Sequence, residues 1–181
     1  MQVTETKLKG CFVIEPSVFE DERGYFFESY NELKLKQILG YKTDFVQDNQ
    51  SKSAYGVVRG LHMQTGEHAQ AKLVRVIEGS VLDVVVDVRK NSPTFGEWLS
   101  IELSAENKKQ LFIPHGFLHG FSVLSQNAVF FYKCDNFYNK NSEAGVNPLD
   151  TNLEIDWKVE KTAMILSEKD KNAPFFNELQ L

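Results

Sequence analysis

The chain has 181 residues, 42% hydrophobic and 25% charged, with a formal net charge of -5 at pH 7. Such a chain is long enough for one domain with a substantial core, and its acidic balance argues against a general nucleic-acid surface. No apolar run approaches the roughly 20 residues that a membrane helix needs, and residues 1–11 alternate polar and apolar without a signal-peptide core, so no membrane association and a cytoplasmic location are expected.

Taken in chain order, short β-favouring runs fall at 25–30, 45–47, 72–77, 81–88, 98–103, 110–113, 121–124 and 128–133, with glycines between them. Many short strands at close spacing imply a sandwich or barrel, because sheet closure or stacking is what buries so many half-apolar strands. One helix is expected after Asn31, which can cap it. Leu35, Ile38 and Leu39 give it an apolar stripe and Gly40 can end it. In 81–88, residues 82, 84, 86 and 88 form one apolar face, and the other face carries Asp83 and Asp87. That is the period of two that a strand against a core requires. From Pro148 onward the chain is more polar and should wrap the barrel as loops and short helices. Cys11 and Cys134 have neither paired nor metal-like spacing and read as free thiols.

The four histidines are His62, His68, His115 and His119. Pro114-His115-Gly116-Phe117-Leu118-His119 has the form P-x-G-x-x-H, which resembles the second motif of cupins. The first cupin motif carries H-x-H in metal-binding members, whereas this chain reads His62-Met63-Gln64. Gln is a poor replacement for imidazole at a transition-metal site, so the expectation is a cupin without a metal. His68 and His115 read as hydrogen-bonded structural residues. His62, close to Arg59, reads as functional.

Longer stretches then fall into one ordered set. Asp21-Glu22-Arg23-Gly24-Tyr25-Phe26-Phe27-Glu28, Gln47-Asp48-Asn49-Gln50-Ser51, Gly56-Val57-Val58-Arg59-Gly60-Leu61-His62 and Gln70-Ala71-Lys72-Leu73-Val74 are followed by the Asp87 to Gly96 segment, the Pro114 to Phe121 segment, Tyr132-Lys133 and Leu166-Ser167-Glu168-Lys169-Asp170. Over nearly the whole chain this set resembles the dTDP-4-dehydrorhamnose 3,5-epimerase family. Met63 departs where members often carry an aromatic, and Leu118 where Ala is common.

The resemblance implies an all-β fold: a cupin-type jelly-roll barrel with a few short peripheral helices, formed as one cupin-like domain over residues 1–181. It implies inversion next to the ketone of a dTDP-4-keto-6-deoxy sugar, feeding dTDP-L-rhamnose into cell-surface polysaccharide. The ketone acidifies the C3′ and C5′ protons, since the carbanion delocalises as an enolate. By resemblance His62 is the base and Asp170 holds its other ring nitrogen. Lys72 stabilises the enolate oxygen, and Tyr132 is the acid on the opposite face. No cofactor is implied, because no net electron change occurs. Arg59 suits phosphate oxygens. The resemblance also places Gln47, Asp48, Asn49, His119, Glu143 and Lys169 at the substrate and stacks Tyr138 on the thymine. It brings Arg23 and Glu28 in from the other subunit of a homodimer.

Read alone, Lys72 is a solvated strand residue, Tyr132 a core aromatic, and Asp170 part of a surface charge run. Arg23 and Glu28 could be a turn-flanking ion pair. Three other functions fit parts of the pattern: an epimerase acting at one position only, a non-catalytic sugar-nucleotide-binding cupin, and a metal-dependent cupin oxygenase. Gln64 counts against the last.

Overall fold

The computed structural model describes residues 1–180. Its strands are β1 (Gln2–Glu5), β2 (Phe12–Glu15), β3 (Val18–Asp21), β4 (Gly24–Phe27), β5 (Gln47–Ala54), β6 (Val58–Gln64), β7 (Lys72–Glu78), β8 (Ser80–Asp87), β9 (Trp98–Ser104), β10 (Gln110–Ile113), β11 (Phe117–Val123), β12 (Asn127–Cys134) and β13 (Glu143–Gly145). Helices α1 (Glu32–Leu39) and α2 (Glu168–Lys171) lie outside the sheets. One sheet runs β1-β2-β10-β7-β12-β5 and the other β13-β6-β11-β8-β9, while β3 and β4 form a separate hairpin. Within the two sheets every strand pairing is antiparallel. This is a cupin-like barrel, as expected.

Between the sheets lies a core that includes Val74, Val81, Val85, Phe117, Phe121, Val123 and Phe130. Each sheet is also covered on its outside. Leu35 of α1 packs over Ile14, Leu73 and Phe112 on the six-stranded sheet. The α1 ends follow local chemistry: the Asn31 side chain accepts from the Lys34 N–H, and Gly40 takes a left-handed φ of 79° at the C-terminus.

On the five-stranded sheet the cover is largely the chain after Pro148, and the apolar face of β8 meets its core there. The apolar face of β8, with Leu82, Val84 and Val86, does not face the barrel interior. Together with Val88 just beyond the strand, it packs outward against Leu153, Trp157 and Val146. The indole of Trp157 donates to the Pro148 carbonyl at 2.7 Å, and the Ser122 hydroxyl donates to the Trp157 carbonyl at 2.6 Å. The acid-bearing face of β8 is therefore the inner one, and Asp83 and Asp87 are both fully buried. Asp87 is satisfied by Arg89, Ser92 and Thr94. Burial pushes its carboxyl up, but those hydrogen bonds prevail and bring it down to about 2.

Several strands differ from the expected runs. β5 is polar as far as Ser53 and extends to Ala54. It is an edge strand, with its whole ladder supplied by β12, and polar side chains suit an edge. β11 begins at Phe117, four residues earlier than the apolar run, because the Gly116 turn leads straight into pairing with β8. The run 25–30 ends as a strand at Phe27. Cys11 and Cys134 are free, as expected, and both are buried.

Candidate active site

A cleft of about 700 Å³ opens between the two sheets. Side chains alternate across a strand, which sends His62 and His119 inward from β6 and β11, where they are register partners. The same alternation brings Lys72 and Tyr132 inward from the neighbouring strands β7 and β12. The two sheets thus face each other across the cleft, with imidazoles on one side and an ammonium and a phenol on the other. β6 and β11 come unusually close there. A Cβ on Gly60 would lie 2.5 Å from the Gly120 Cα, and one on Gly120 would lie 2.6 Å from the Arg59 carbonyl oxygen. Only bare backbone fits at both positions.

Asp170 arrives from the tail. The Val58 N–H donates to the Ile165 carbonyl at 3.0 Å, and the Ile165 N–H donates to Gly56 at 2.9 Å. This lays the tail beside β6. Ser167 then caps α2, its hydroxyl accepting from the Asp170 N–H at 3.1 Å. The Asp170 carboxylate lies buried, and His62 Nε2 donates to its Oδ1 at 2.6 Å. Burial works to raise this carboxyl, yet His62, Ser167 and Lys169 together hold it below the ordinary carboxylate value. With Nε2 engaged by Asp170, Nδ1 is the imidazole nitrogen left to take a proton.

Lys72 and Tyr132 stand half-buried on the opposite wall. Burial lowers the Lys72 ammonium from its ordinary value. Its Nζ lies 5.9 Å from the Tyr132 ring centroid. Burial also pushes the Tyr132 phenol up to about 12, so at neutral pH it is a proton donor and not a phenolate. Deeper still, His119 Nε2 donates to Asp83 Oδ2 at 2.9 Å, with both side chains buried. A neutral donor, a cation and two carboxylate-held imidazoles around one cleft can remove a proton, hold an oxyanion and return a proton. Among the described residues, no three His, Cys, Asp or Glu side chains come together as a metal site.

The rim is polar. Tyr138 donates from its hydroxyl to Glu143 Oε2 at 3.1 Å, and Glu143 pairs with Lys169. Burial alone would raise the Glu143 carboxyl, but Lys169 and Tyr138 hold it down. Arg59 lines the cleft, steadied by a 3.1 Å hydrogen bond to the Ser53 hydroxyl. Asn49 lines it from β5.

Residues 5–178 match the family model described as dTDP-4-dehydrorhamnose 3,5-epimerase. The chain belongs to that family. It is 51% identical over 176 residues to the dTDP-4-dehydrorhamnose 3,5-epimerase of Shigella flexneri, covering 97% of this chain and 96% of that one. The structure resembles that of the dTDP-4-dehydrorhamnose 3,5-epimerase of Elizabethkingia anophelis NUHP1 with a TM-score of 0.95, at 61% identity over 98% of this chain and 97% of that one. It also resembles the dTDP-6-deoxy-D-glucose-3,5-epimerase of Legionella pneumophila Philadelphia 1 in complex with dTDP-4-keto-L-rhamnose. There the TM-score is 0.94, at 45% identity over 99% of this chain and 94% of that one.

Measured against the residues that the epimerase pattern marks, most gather at the cleft and four do not line it. Arg23 sits at the β3–β4 turn and pairs with Asp21, and Glu28 pairs with Lys34 at 2.7 Å. They are therefore not an ion pair with each other. Gln47 accepts from the Tyr138 N–H at 3.0 Å and so braces the rim from behind. Asp48, on the other face of β5 from Asn49, pairs with Lys133 at 2.9 Å. Of the histidines read as structural, His115 pairs with Asp135 at 2.8 Å and His68 bonds Asn139 at 2.8 Å. Gln64, at the place of a cupin metal ligand, accepts from the Asn139 N–H at 2.9 Å and so holds the loop beyond Tyr138. Sequence reasoning missed Asp83 as part of the site. The signal available was an acid inside a strand otherwise rich in valine.

Proposed function

We propose that this chain inverts C3′ and C5′ of dTDP-4-dehydro-6-deoxy-D-glucose and so forms dTDP-4-dehydro-L-rhamnose for dTDP-L-rhamnose synthesis. The observation that carries this reading is the His62–Asp170 hydrogen bond of 2.6 Å, facing Lys72 and Tyr132 across one cleft. His62 Nδ1 takes the proton next to the ketone, and Asp170 stabilises the imidazolium that results. The electron pair moves onto the ketone oxygen, where Lys72 offsets the enolate charge in a water-poor setting. Tyr132 gives a proton to the carbon from the other face, and the sugar leaves inverted with no net oxidation. The phenolate is reprotonated from solvent, and His62 releases its proton there.

The nucleotide lies toward the rim. Arg59 forks onto diphosphate oxygens, Tyr138 stacks on the thymine, and Glu143, Lys169 and His119 complete the pocket. The sugar nucleotide held by the Legionella relative supports a substrate of this class. The chain works as a homodimer and as one catalytic domain over residues 1–181. The exposed aromatics Phe19, Tyr25 and Phe26 on the β3–β4 hairpin pack on the partner, Arg23 and Glu28 reach the partner's nucleotide, and Gln47, Asp48 and Asn49 serve the nucleotide of their own cleft. Among the described residues no helix is long and apolar enough to cross a membrane, which accords with work in the cytoplasm on a soluble nucleotide.

The test is proton–deuterium exchange at C3′ and C5′ of dTDP-4-keto-6-deoxyglucose in D₂O, followed by NMR. Exchange with inversion at both carbons is expected. Exchange at one carbon alone would reassign the chain to single-position epimerisation, and exchange at neither would overturn the reading.

A further inference from the structure

Asp83 is a buried acid for which the mechanism above has no use. It lies on the inner face of β8 between Val81 and Val85, with none of its surface exposed. Its Oδ2 accepts from His119 Nε2, while its Oδ1 has no hydrogen-bond partner. A buried carboxylate oxygen left unsatisfied costs stability, and a valine would suit the strand better. Burial indeed works against the charged form and raises this carboxyl. A group retained against stability points to a functional demand.

Two neighbours supply that demand. The first is His119, which lines the cleft and stacks on Phe130 at 6.0 Å. With Nε2–H committed to Asp83 and burial favouring the neutral ring, its Nδ1 is a bare acceptor suited to a sugar hydroxyl. The second is Lys72, whose ammonium burial disfavours. Three groups act to keep its charge: Cys134, Asp83 and Glu143. The Cys134 thiol, pushed up to about 11 by burial, carries no charge at neutral pH. Glu143 is already paired with Lys169. Asp83 is the remaining carboxylate, and its own hydrogen-bond partner is an imidazole that burial keeps neutral.

We propose that Asp83 is a positioning residue for the epimerisation, fixing His119 as the Nε2–H tautomer and supplying the counter-charge for the Lys72 ammonium. This proposal rests on the epimerase reading. Asp83 does not touch substrate. It acts through the two side chains that do, much as Asp170 acts through His62, so the cleft holds two carboxylate–imidazole pairs of different use. The His62 pair moves protons, and the His119 pair orients a hydroxyl and sets the electrostatics of the oxyanion site.

The test is Asp83→Asn, which keeps the size and can still accept from His119 but removes the charge. Loss of the carboxylate behind a metal-bound histidine typically costs about 10- to 100-fold, and by analogy kcat for inversion is expected to fall by roughly that factor. KM should change less than about threefold, because ground-state contacts survive. The alkaline limb of the kcat–pH profile should move to lower pH, since Lys72 loses its counter-charge. The melting temperature should not fall, because Oδ1 has no hydrogen bond to lose and the bond from His119 survives. Wild-type kcat with an unshifted pH profile in the folded variant would overturn the proposal. So would a lower melting temperature with a kcat loss independent of pH, which is what a merely structural role predicts. If Asp83→Asn does not fold, Asp83→Ser is read by the same three measurements and the same criteria. A wild-type protein that exchanges neither proton overturns the epimerase reading and this proposal with it, whereas an active wild type beside an unaltered variant sinks this proposal alone.

Discussion

Replacing Asp170 by Asn isolates what the carboxylate does for His62. The side chain keeps its size, and the Asp170 N–H bond to Ser167 does not depend on it. Two outcomes are open to the amide beside His62 Nε2. If its NH₂ donates, the ring proton moves to Nδ1 and the nitrogen facing the substrate is no longer a base. If its carbonyl accepts, the tautomer is right, but the imidazolium formed by proton removal has no counter-charge. Hydrogen-bonded at 2.6 Å, the two charge centres would lie about 4 Å apart, where a unit pair at an effective dielectric of about 20 gains ~4 kcal/mol. That energy corresponds to about 10³-fold in rate, and the wrong tautomer costs about 10⁴-fold when a triad aspartate is made an amide. The expected result is therefore a kcat lower by about 10³- to 10⁴-fold for both deuterium uptake and inversion. Affinity for dTDP, measured by calorimetry, should be unchanged because the nucleotide groups lie at the rim. A folded Asp170→Asn protein with kcat within about tenfold of wild type would refute the role assigned to the carboxylate.

Tyr132→Phe should separate exchange from inversion: deuterium still enters through His62, while inverted product, followed by NMR, falls by about 10²- to 10⁴-fold. Gly120→Ala drives a Cβ to 2.6 Å from the Arg59 carbonyl oxygen; it should cost about 1–3 kcal/mol by denaturant titration and lower kcat with it, because β6 carries His62. Trp157→Ala, at a side chain only 2% exposed, should cost about 3–5 kcal/mol and depress turnover further than a remote core mutation of equal cost, because the same tail holds Asp170. Asp87 has a folded value depressed to about 2, so its contribution, on the order of 2 kcal/mol, is present above the ordinary carboxylate value and lost as pH falls from about 4 through 2. Acid melts of Asp87→Asn should lack that part of the slope.

What could be read from the sequence was what local chemistry decides. Asn31 and Gly40 mark the ends of α1 because capping and the left-handed turn involve only near neighbours. The period of two in 81–88 identifies β8 correctly, yet it says only that the two faces differ. Which face looks into the barrel depends on what covers the outside, and Trp157 and Leu153 come from far along the chain. β5 was illegible beyond Gln47 because its strand character comes from pairing with β12 and not from apolar residues of its own. Of the site, His62 and His119 stood out by their cupin-like setting. Asp170 did not, since it reaches His62 only after the tail has crossed beside β6, and nothing within Ser167–Lys171 signals that journey. Its role came from resemblance to a family, and the fold places it at hydrogen-bond distance from its partner.

The outer cover of β8 has a consequence for the order in which the protein matures. Synthesis runs from β1 toward the tail, so every barrel strand has been made before Leu153, Trp157 and Asp170 exist. Until then a valine-rich stripe lies open to water and His62 lacks its carboxylate. One docking event closes both gaps, hiding the stripe and arming the base. A nascent or clipped chain without that segment is thus inactive for the same reason that it is sticky, and a quality-control factor that recognises the bare stripe would remove only molecules that cannot yet turn over substrate.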